Sequence, residues 1–218
     1  MVAAPTAAAG RQVLASLVPQ ARPALAADIV RVAARLPQPA PDGGLGGALC
    51  GDPAIKGALI APIVAAAPGC GLADGVKVTS VAGVRLSQPA IVDCQTARSL
   101  RGWVQMSVIP AIGQRGGGLA GLDIADSYAC RPRNNQAGNK ISEHGKGHAV
   151  DIAGFTLRNG TEITVLQDWG TFRAGAILAA MRRAACGPFT TILGPGSDRF
   201  HRNHFHLDTA RGRNPYCH

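Results

Sequence analysis

Aromatic residues are scarce in this chain, 4% of 218 positions, with two tryptophans, two tyrosines and five phenylalanines. Runs of Lys and Arg interleaved with aromatics, the usual mark of a nucleic-acid-binding surface, are absent. Acidic blocks are missing too: 13 Asp and Glu against 22 Lys and Arg leave a formal net charge of +9. A basic surface suits nucleic acid, anionic lipid or an acidic cell-wall polymer, and composition does not choose among them. No apolar run reaches the ~18–20 residues of a membrane span, and no signal peptide is recognisable. The six cysteines form no C-x-x-C pair, which argues against a thiolate zinc site or a thioredoxin-like centre. Gly116-Gly117-Gly118 is not followed by Gly-Lys-Ser/Thr, so it reads as a flexible turn and not a phosphate loop. Internal repeats are absent.

What is present fits one domain with a tail. Hydrophobic residues make up 46% of the chain, much of this alanine, so a modest core is expected. Residues 1–44 are rich in alanine and proline and read as a linker, with a short helix over Ala24 to Leu36. Residues 45–218 form the domain. Cys50, Cys70, Cys94, Cys130, Cys186 and Cys217 are even in number and scattered, which suggests disulfides and an oxidising compartment. Fifteen connectivities are open. The simplest pairs neighbours: Cys50 with Cys70, Cys94 with Cys130, and Cys186 with Cys217.

Between Cys50 and Gly75 only turn signals stand out. Val76 to Val81 alternates as a strand, Gly83 turns it, and Val84 to Leu86 returns. Pro89 reads as a helix start, with Ala90 to Ile109 helical and Ala97, Leu100, Val104 and Val108 on one stripe. Trp103 in this helix reads as core. Leu119 to Cys130 reads as a strand, followed by a polar loop over Pro132 to Lys140. Ala149 to Phe155 reads as a strand entered from a glycine turn. Glu162 to Leu166 returns after the Asn159-Gly160 turn. Thr171 to Ala185 reads as a helix, Thr190 to Leu193 as a strand, and Phe205 to Leu207 as another. The order implies an α+β domain, mostly antiparallel strands with two main helices.

Two stretches carry the chemistry. Ser142-Glu143-His144-Gly145-Lys146-Gly147-His148-Ala149-Val150-Asp151 offers an imidazole and a carboxylate seven positions apart. His204-Phe205-His206-Leu207-Asp208 offers two imidazoles spaced by two. Zinc takes imidazole nitrogen and carboxylate oxygen, and catalytic sites use three protein ligands. We read His144, Asp151 and His206 as the ligands of one zinc, with His204 beside it unbound. Any one of these histidines alone reads better as a surface group; the joint pattern carries the reading. On a strand, Asp151 faces away from Val150 and Ile152, while His204 and His206 share a face opposite Phe205 and Leu207. Gly145 and Gly147 allow the tight turn between His144 and Asp151. His148 lies four after His144, but a strand start does not keep helical spacing. Asp208 points to the face of His206, Ser142 braces the turn, and His201 is a candidate to line the cleft. Glu143 is the nearest carboxylate, turned away from its neighbour His144.

These residues, with Ser127-Tyr128-Ala129-Cys130-Arg131-Pro132-Arg133-Asn134, Ala185-Cys186-Gly187-Pro188-Phe189 and the terminal Tyr216-Cys217, resemble the bacterial extensin-like C-terminal domain family. The likeness covers about the last 170 residues. That family is similar to zinc peptidases that include D-Ala-D-Ala carboxypeptidases and murein endopeptidases. The resemblance implies the same α+β architecture, one zinc on His144, Asp151 and His206, and peptidoglycan stem peptides as substrate. It implies His204 as proton carrier and Arg131 as the substrate or oxyanion arginine, with Tyr128, Arg133 and Asn134 near the substrate. The carboxypeptidase relatives carry a glutamate base three residues before the last ligand. Asn203 stands there and cannot take a proton, which favours an endopeptidase. The resemblance also implies export to the periplasm; a monomer that binds no nucleic acid is expected. Arg131 reads alternatively as an ion-pair partner of Asp123 or Asp126, and Tyr128 as a core residue. Two other functions stay open: a wall-binding module that has lost turnover, and, suggested by the basic charge and His201-Arg202-Asn203-His204, a metal-dependent nuclease.

Overall fold

The two-residue turn Ala82-Gly83, both at positive φ (49° and 79°), folds β2 (Gly75–Val81) back on β3 (Val84–Asp93). This hairpin lies next to the edge strand of the sheet in a computed structural model of the chain, which describes Met1 and residues 48–217. The chain divides into residues 1–43 and residues 44–218. The first unit, with the expected helix over Ala24 to Leu36, lies outside the described residues apart from Met1.

The domain is α+β, built on a nine-stranded, mostly antiparallel sheet. The remaining strands are β1 (Ile55–Leu59), β4 (Leu119–Asp126), β5 (Ala149–Leu157), β6 (Glu162–Thr164), β7 (Thr191–Leu193), β8 (Phe205–Asp208) and β9 (Tyr216–Cys217). Their order is β1-β2-β3-β4-β5-β8-β7-β9, with β6 paired to β5, and only β3/β4 and β7/β9 run parallel. One register row crosses the site: Asp126 lies opposite Asp151, Asp151 opposite His206, and His206 opposite Leu193.

The helix begins later than Pro89. β3 continues to Asp93, and Asp93 accepts a hydrogen bond from the backbone N–H of Thr96 to cap α1 (Cys94–Trp103). Pro89 falls in a bulge, because Val78 pairs with Ala90 while Ser80 pairs with Arg85. A residue without an N–H loses no ladder bond there. Helical backbone then continues through a wider turn at Val104–Val108 into α2 (Ile109–Ile112). Ala97, Leu100, Val104 and Val108 are all fully buried, as the stripe implied. Trp103 sits at the centre of the core, its ring against Phe155 and Phe189, and its indole N–H donates to the carbonyl of Met181 at 2.8 Å. Met181 belongs to α4 (Ala174–Ala184), which follows the short α3 (Val165–Asp168). One hydrophobic cluster joins both long helices to Val150, Ile152, Phe205 and Leu207 on the sheet.

The disulfides correct two of the three expected pairings. Cys50 bridges Cys94 and Cys70 bridges Cys130; Cys186–Cys217 is as expected. Cys50 lies in a turn against the start of α1, so its Cα is 5.2 Å from that of Cys94. Cys70 is instead drawn under the His144 turn, where Cys130 arrives from β4. Three bridges with no free cysteine suit an oxidising compartment outside the cytoplasm. Among the described residues, no helix is long and apolar enough to cross a membrane.

Candidate metal centre

His144 stands on a 3-10 turn, Glu143–Lys146, that Ser142 opens by accepting the His144 N–H and Gly147 closes at φ 70°. A residue with a Cβ would be strained at Gly147. The turn rests on the Cys70–Cys130 bridge: a Cβ on Gly145 would lie 2.9 Å from Cys70 Sγ. Gly71 N–H donates to the carbonyl of Gly145, and Ala129 N–H to that of His144. After Gly147 the chain enters β5, and strand alternation turns Asp151 away from the core residues Val150 and Ile152. On β8 the same alternation buries Phe205 and Leu207 in the core and sends His206 and Asp208 to the side of Asp151.

Three acceptor atoms therefore meet. His144 Nε2 is 3.1 Å from His206 Nδ1 and 3.2 Å from Asp151 Oδ1, and His206 Nδ1 is 2.9 Å from that same oxygen. The far nitrogen of each ring has its own acceptor. His144 Nδ1 donates to the carbonyl of Ser127 at 2.5 Å, and His206 Nε2 donates to Asp208 Oδ2 at 3.2 Å. With the outward nitrogens as donors, two imidazole lone pairs and a carboxylate would converge, an arrangement able to hold a cation. Metal–ligand bonds of about 2.0–2.1 Å in a tetrahedron set neighbouring ligand atoms about 3.3 Å apart, so the spacing fits a zinc-sized ion. All three residues are buried.

The electrostatics agree. Burial would pull the His206 imidazole down, but its bonds to Asp151 and Asp208 raise it to about 9. Burial would raise the Asp151 carboxyl, yet His144 and His206 hold it well below the ordinary carboxylate value. Surroundings that favour a proton on His206 also favour a metal cation.

The triad lies in a cleft of about 480 Å³. His204 stands at its edge, with Nδ1 bonded to Asn203 Oδ1 at 2.9 Å and Nε2 3.5 Å from Asp151 Oδ2. Burial lowers its pKa, which keeps the ring neutral near pH 7. Arg131 lines the cleft and forms the ion pair with Asp126, at 2.8 Å, that its alternative reading gave it. Arg133 and Asn134 line the same wall, with Arg133 3.6 Å from Glu143. Tyr128 is placed differently: its hydroxyl is buried without a hydrogen-bond partner among the described residues, and it is not among the cleft-lining residues. Glu143 reaches the cleft wall, but His148 takes one of its oxygens at 3.1 Å and Lys146 the other at 3.0 Å. The hydrogen bond from His148, then that from Lys146, lowers the Glu143 pKa to about 2, which makes it a weak proton acceptor. His148 itself faces Glu143 and Asp93, away from the triad.

Several cleft residues went unassigned from sequence, among them Asp198, Thr191, Arg213 and Tyr216. Asp198 accepts from His201 Nδ1 at 2.7 Å, and the His201 ring lies 5.2 Å from that of His204. The Asp-x-x-His spacing at 198–201 was the available signal. Thr191, Arg213 and Tyr216 complete the opposite wall; nothing in the local sequence marks the first two, and Tyr216 carried the resemblance without a role.

No match to this chain was found among curated proteins or solved structures. The family of the extensin-like protein C-terminus matches over residues 55–218, which spans every strand of the sheet and all of the cleft described above. The chain belongs to that family.

Proposed function

We infer that this domain is an exported zinc peptidase acting on peptidoglycan stem peptides, and that it cuts an internal bond. The observation that carries the reading is the convergence of His144 Nε2, His206 Nδ1 and Asp151 Oδ1 at 2.9–3.2 Å with both rings' N–H groups directed outward. The α+β sheet, with Asp151 and His206 on neighbouring strands and His144 on the turn before them, is compatible with the zinc-peptidase architecture that the sequence resembles. A zinc ion on these residues would lower the pKa of a water to about 7 and polarise the scissile carbonyl.

The chain's own residues do the rest. His204 Nε2, beside Asp151, accepts the proton of the attacking water and returns it to the departing amine, so one C–O bond forms as the C–N bond breaks. Asn203 fixes the His204 tautomer by accepting its Nδ1–H, which leaves Nε2 open. Arg131, steadied by Asp126, presents its guanidinium to the carbonyl oxygen or to a substrate carboxylate. Asp208 and the Ser127 carbonyl hold the two imidazoles in orientation. Arg131, Arg133 and Arg213 in the cleft lining suit the carboxylates of stem peptides.

Purified protein incubated with sacculi and with plasmid DNA, each with and without a chelator, tests the reading. Chelator-sensitive release of shortened or uncross-linked muropeptides is expected, with DNA intact. Nicked DNA would indicate a nuclease, and sacculus binding without release a wall-binding module; either result overturns the peptidase.

A further inference from the structure

The C-terminal arm forms the far wall of the cleft. Residues 211–217 are exposed, yet the arm is tied at both ends. Arg211 pairs with Asp93 and donates to Gln95, while Cys217 is bridged to Cys186 and β9 pairs with β7. Between these anchors, Nη2 of Arg213 reaches Asp208 and the Thr191 hydroxyl. The Nε and Nη1 donors of Arg213 have no partner among the described residues, and the residue lines the cleft. Tyr216 lines it as well, 48% exposed.

Sheet order shows what this wall faces. The cleft is lined in turn by Arg131, paired to Asp126 at the end of β4, then Asp151 on β5, His206 on β8, Leu193 on β7 and Tyr216 on β9. Four strand intervals of about 4.8 Å make this about 19 Å, the length of five or six extended residues. Asp151 on β5 and His206 on β8 lie near the middle, with His144 on the turn that leads into β5. Guanidinium groups therefore flank the triad on both sides: Arg131 and Arg133 on one, Arg213 on the other. A site that trims a terminal residue needs to close on one side, and this one continues both ways.

Resting on the peptidase reading, we propose that Arg213, carried on the disulfide-anchored arm, is a specificity-determining residue. It binds a substrate carboxylate on the side of the scissile bond opposite the one that Arg131 serves. The substrate is then a peptide with a carboxylate on each side of the bond that is cut, as in a cross-link between two acidic stem peptides.

Three synthetic peptides sharing one scissile bond test this: the diacid, and two analogues in which the carboxylate on either side is replaced by a carboxamide. Arg213→Ala should lower kcat/KM for the diacid and for one monoamide about 10–100-fold, mainly through KM, the usual scale for a charge-assisted hydrogen bond. The other monoamide, lacking the carboxylate that Arg213 holds, should already be a poor substrate and should be cut at the same rate by parent and variant. The Cys186→Ser/Cys217→Ser double variant, which frees the arm, should reproduce this pattern. An equal loss on all three peptides would make Arg213 a structural support only, and no loss on any would remove it from the site. If the parent cleaves none of them, the peptidase reading itself fails and the arm's role goes with it.

Discussion

The Cys70–Cys130 bridge should matter to the metal centre beyond its share of global stability. Replacing both cysteines by serine opens a loop spanning 60 residues. Chain entropy gives about 4 kcal/mol for closing a loop of that size, as an upper value. Opening the Cys50–Cys94 bridge, which spans 44 residues, costs about 4 kcal/mol by the same relation, because the dependence on length is logarithmic. The two double variants should therefore lose nearly the same stability in urea, measured with chelator present so that metal does not contribute. They should differ in metal binding. Cys70 Sγ supports the turn at Gly145, and Cys130 anchors the segment whose Ser127 carbonyl orients His144. Cys50–Cys94 touches none of this. In competition titration with a chromophoric chelator, the Cys70→Ser/Cys130→Ser protein should bind zinc at least about tenfold more weakly, the lower end of losses for groups that orient ligands. The Cys50→Ser/Cys94→Ser protein should bind as the parent does. Equal zinc affinity in the two variants would refute the local role of the bridge.

His204→Ala should retain zinc and lose about 10²–10⁴-fold in kcat on sacculi, the scale of a missing general acid–base group; a variant that digests sacculi as fast as the parent would move the proton carrier elsewhere. Glu143 gives a pH signature. Its folded pKa of about 2 lies below its ordinary 4.5, so its contribution is fully present above pH 4.5 and is lost as pH falls toward 2. Urea unfolding of Glu143→Gln and the parent should show a stability gap at pH 6 that narrows steadily between pH 4.5 and 2; a gap independent of pH would mean that Glu143 acts through packing alone.

Some of this molecule was legible because its signals are local. The stripe of Ala97, Leu100, Val104 and Val108 specifies a buried helix face, and the alternation around Asp151 and His206 separates core from cleft within a few residues. β1 was missed because only Ile55 of its five residues is buried, so no alternation marks this edge strand. β9 is two residues long and exists because a disulfide holds it against β7. Pro89 was misread as a helix start because a proline in a strand bulge and a proline at a helix N-terminus look alike until the neighbouring strand is known. The same limit applies to Cys50 and Cys70, whose partners depend on which segments the sheet brings together. Thr191 reaches the cleft through the pairing of β7 with β8, and Arg213 on the arm that pairs β9 with β7, relations that residue spacing does not encode.

The centre itself is tested most directly by its metal content. Parent, His206→Ala and His148→Ala proteins, each loaded with zinc, desalted and checked for native fold by circular dichroism, would be analysed by inductively coupled plasma mass spectrometry. Parent and His148→Ala should carry a single zinc per chain, while His206→Ala should carry far less, because two remaining ligands do not complete the site. No zinc in the parent, or the same zinc in all three proteins, would contradict the assignment of His144, Asp151 and His206.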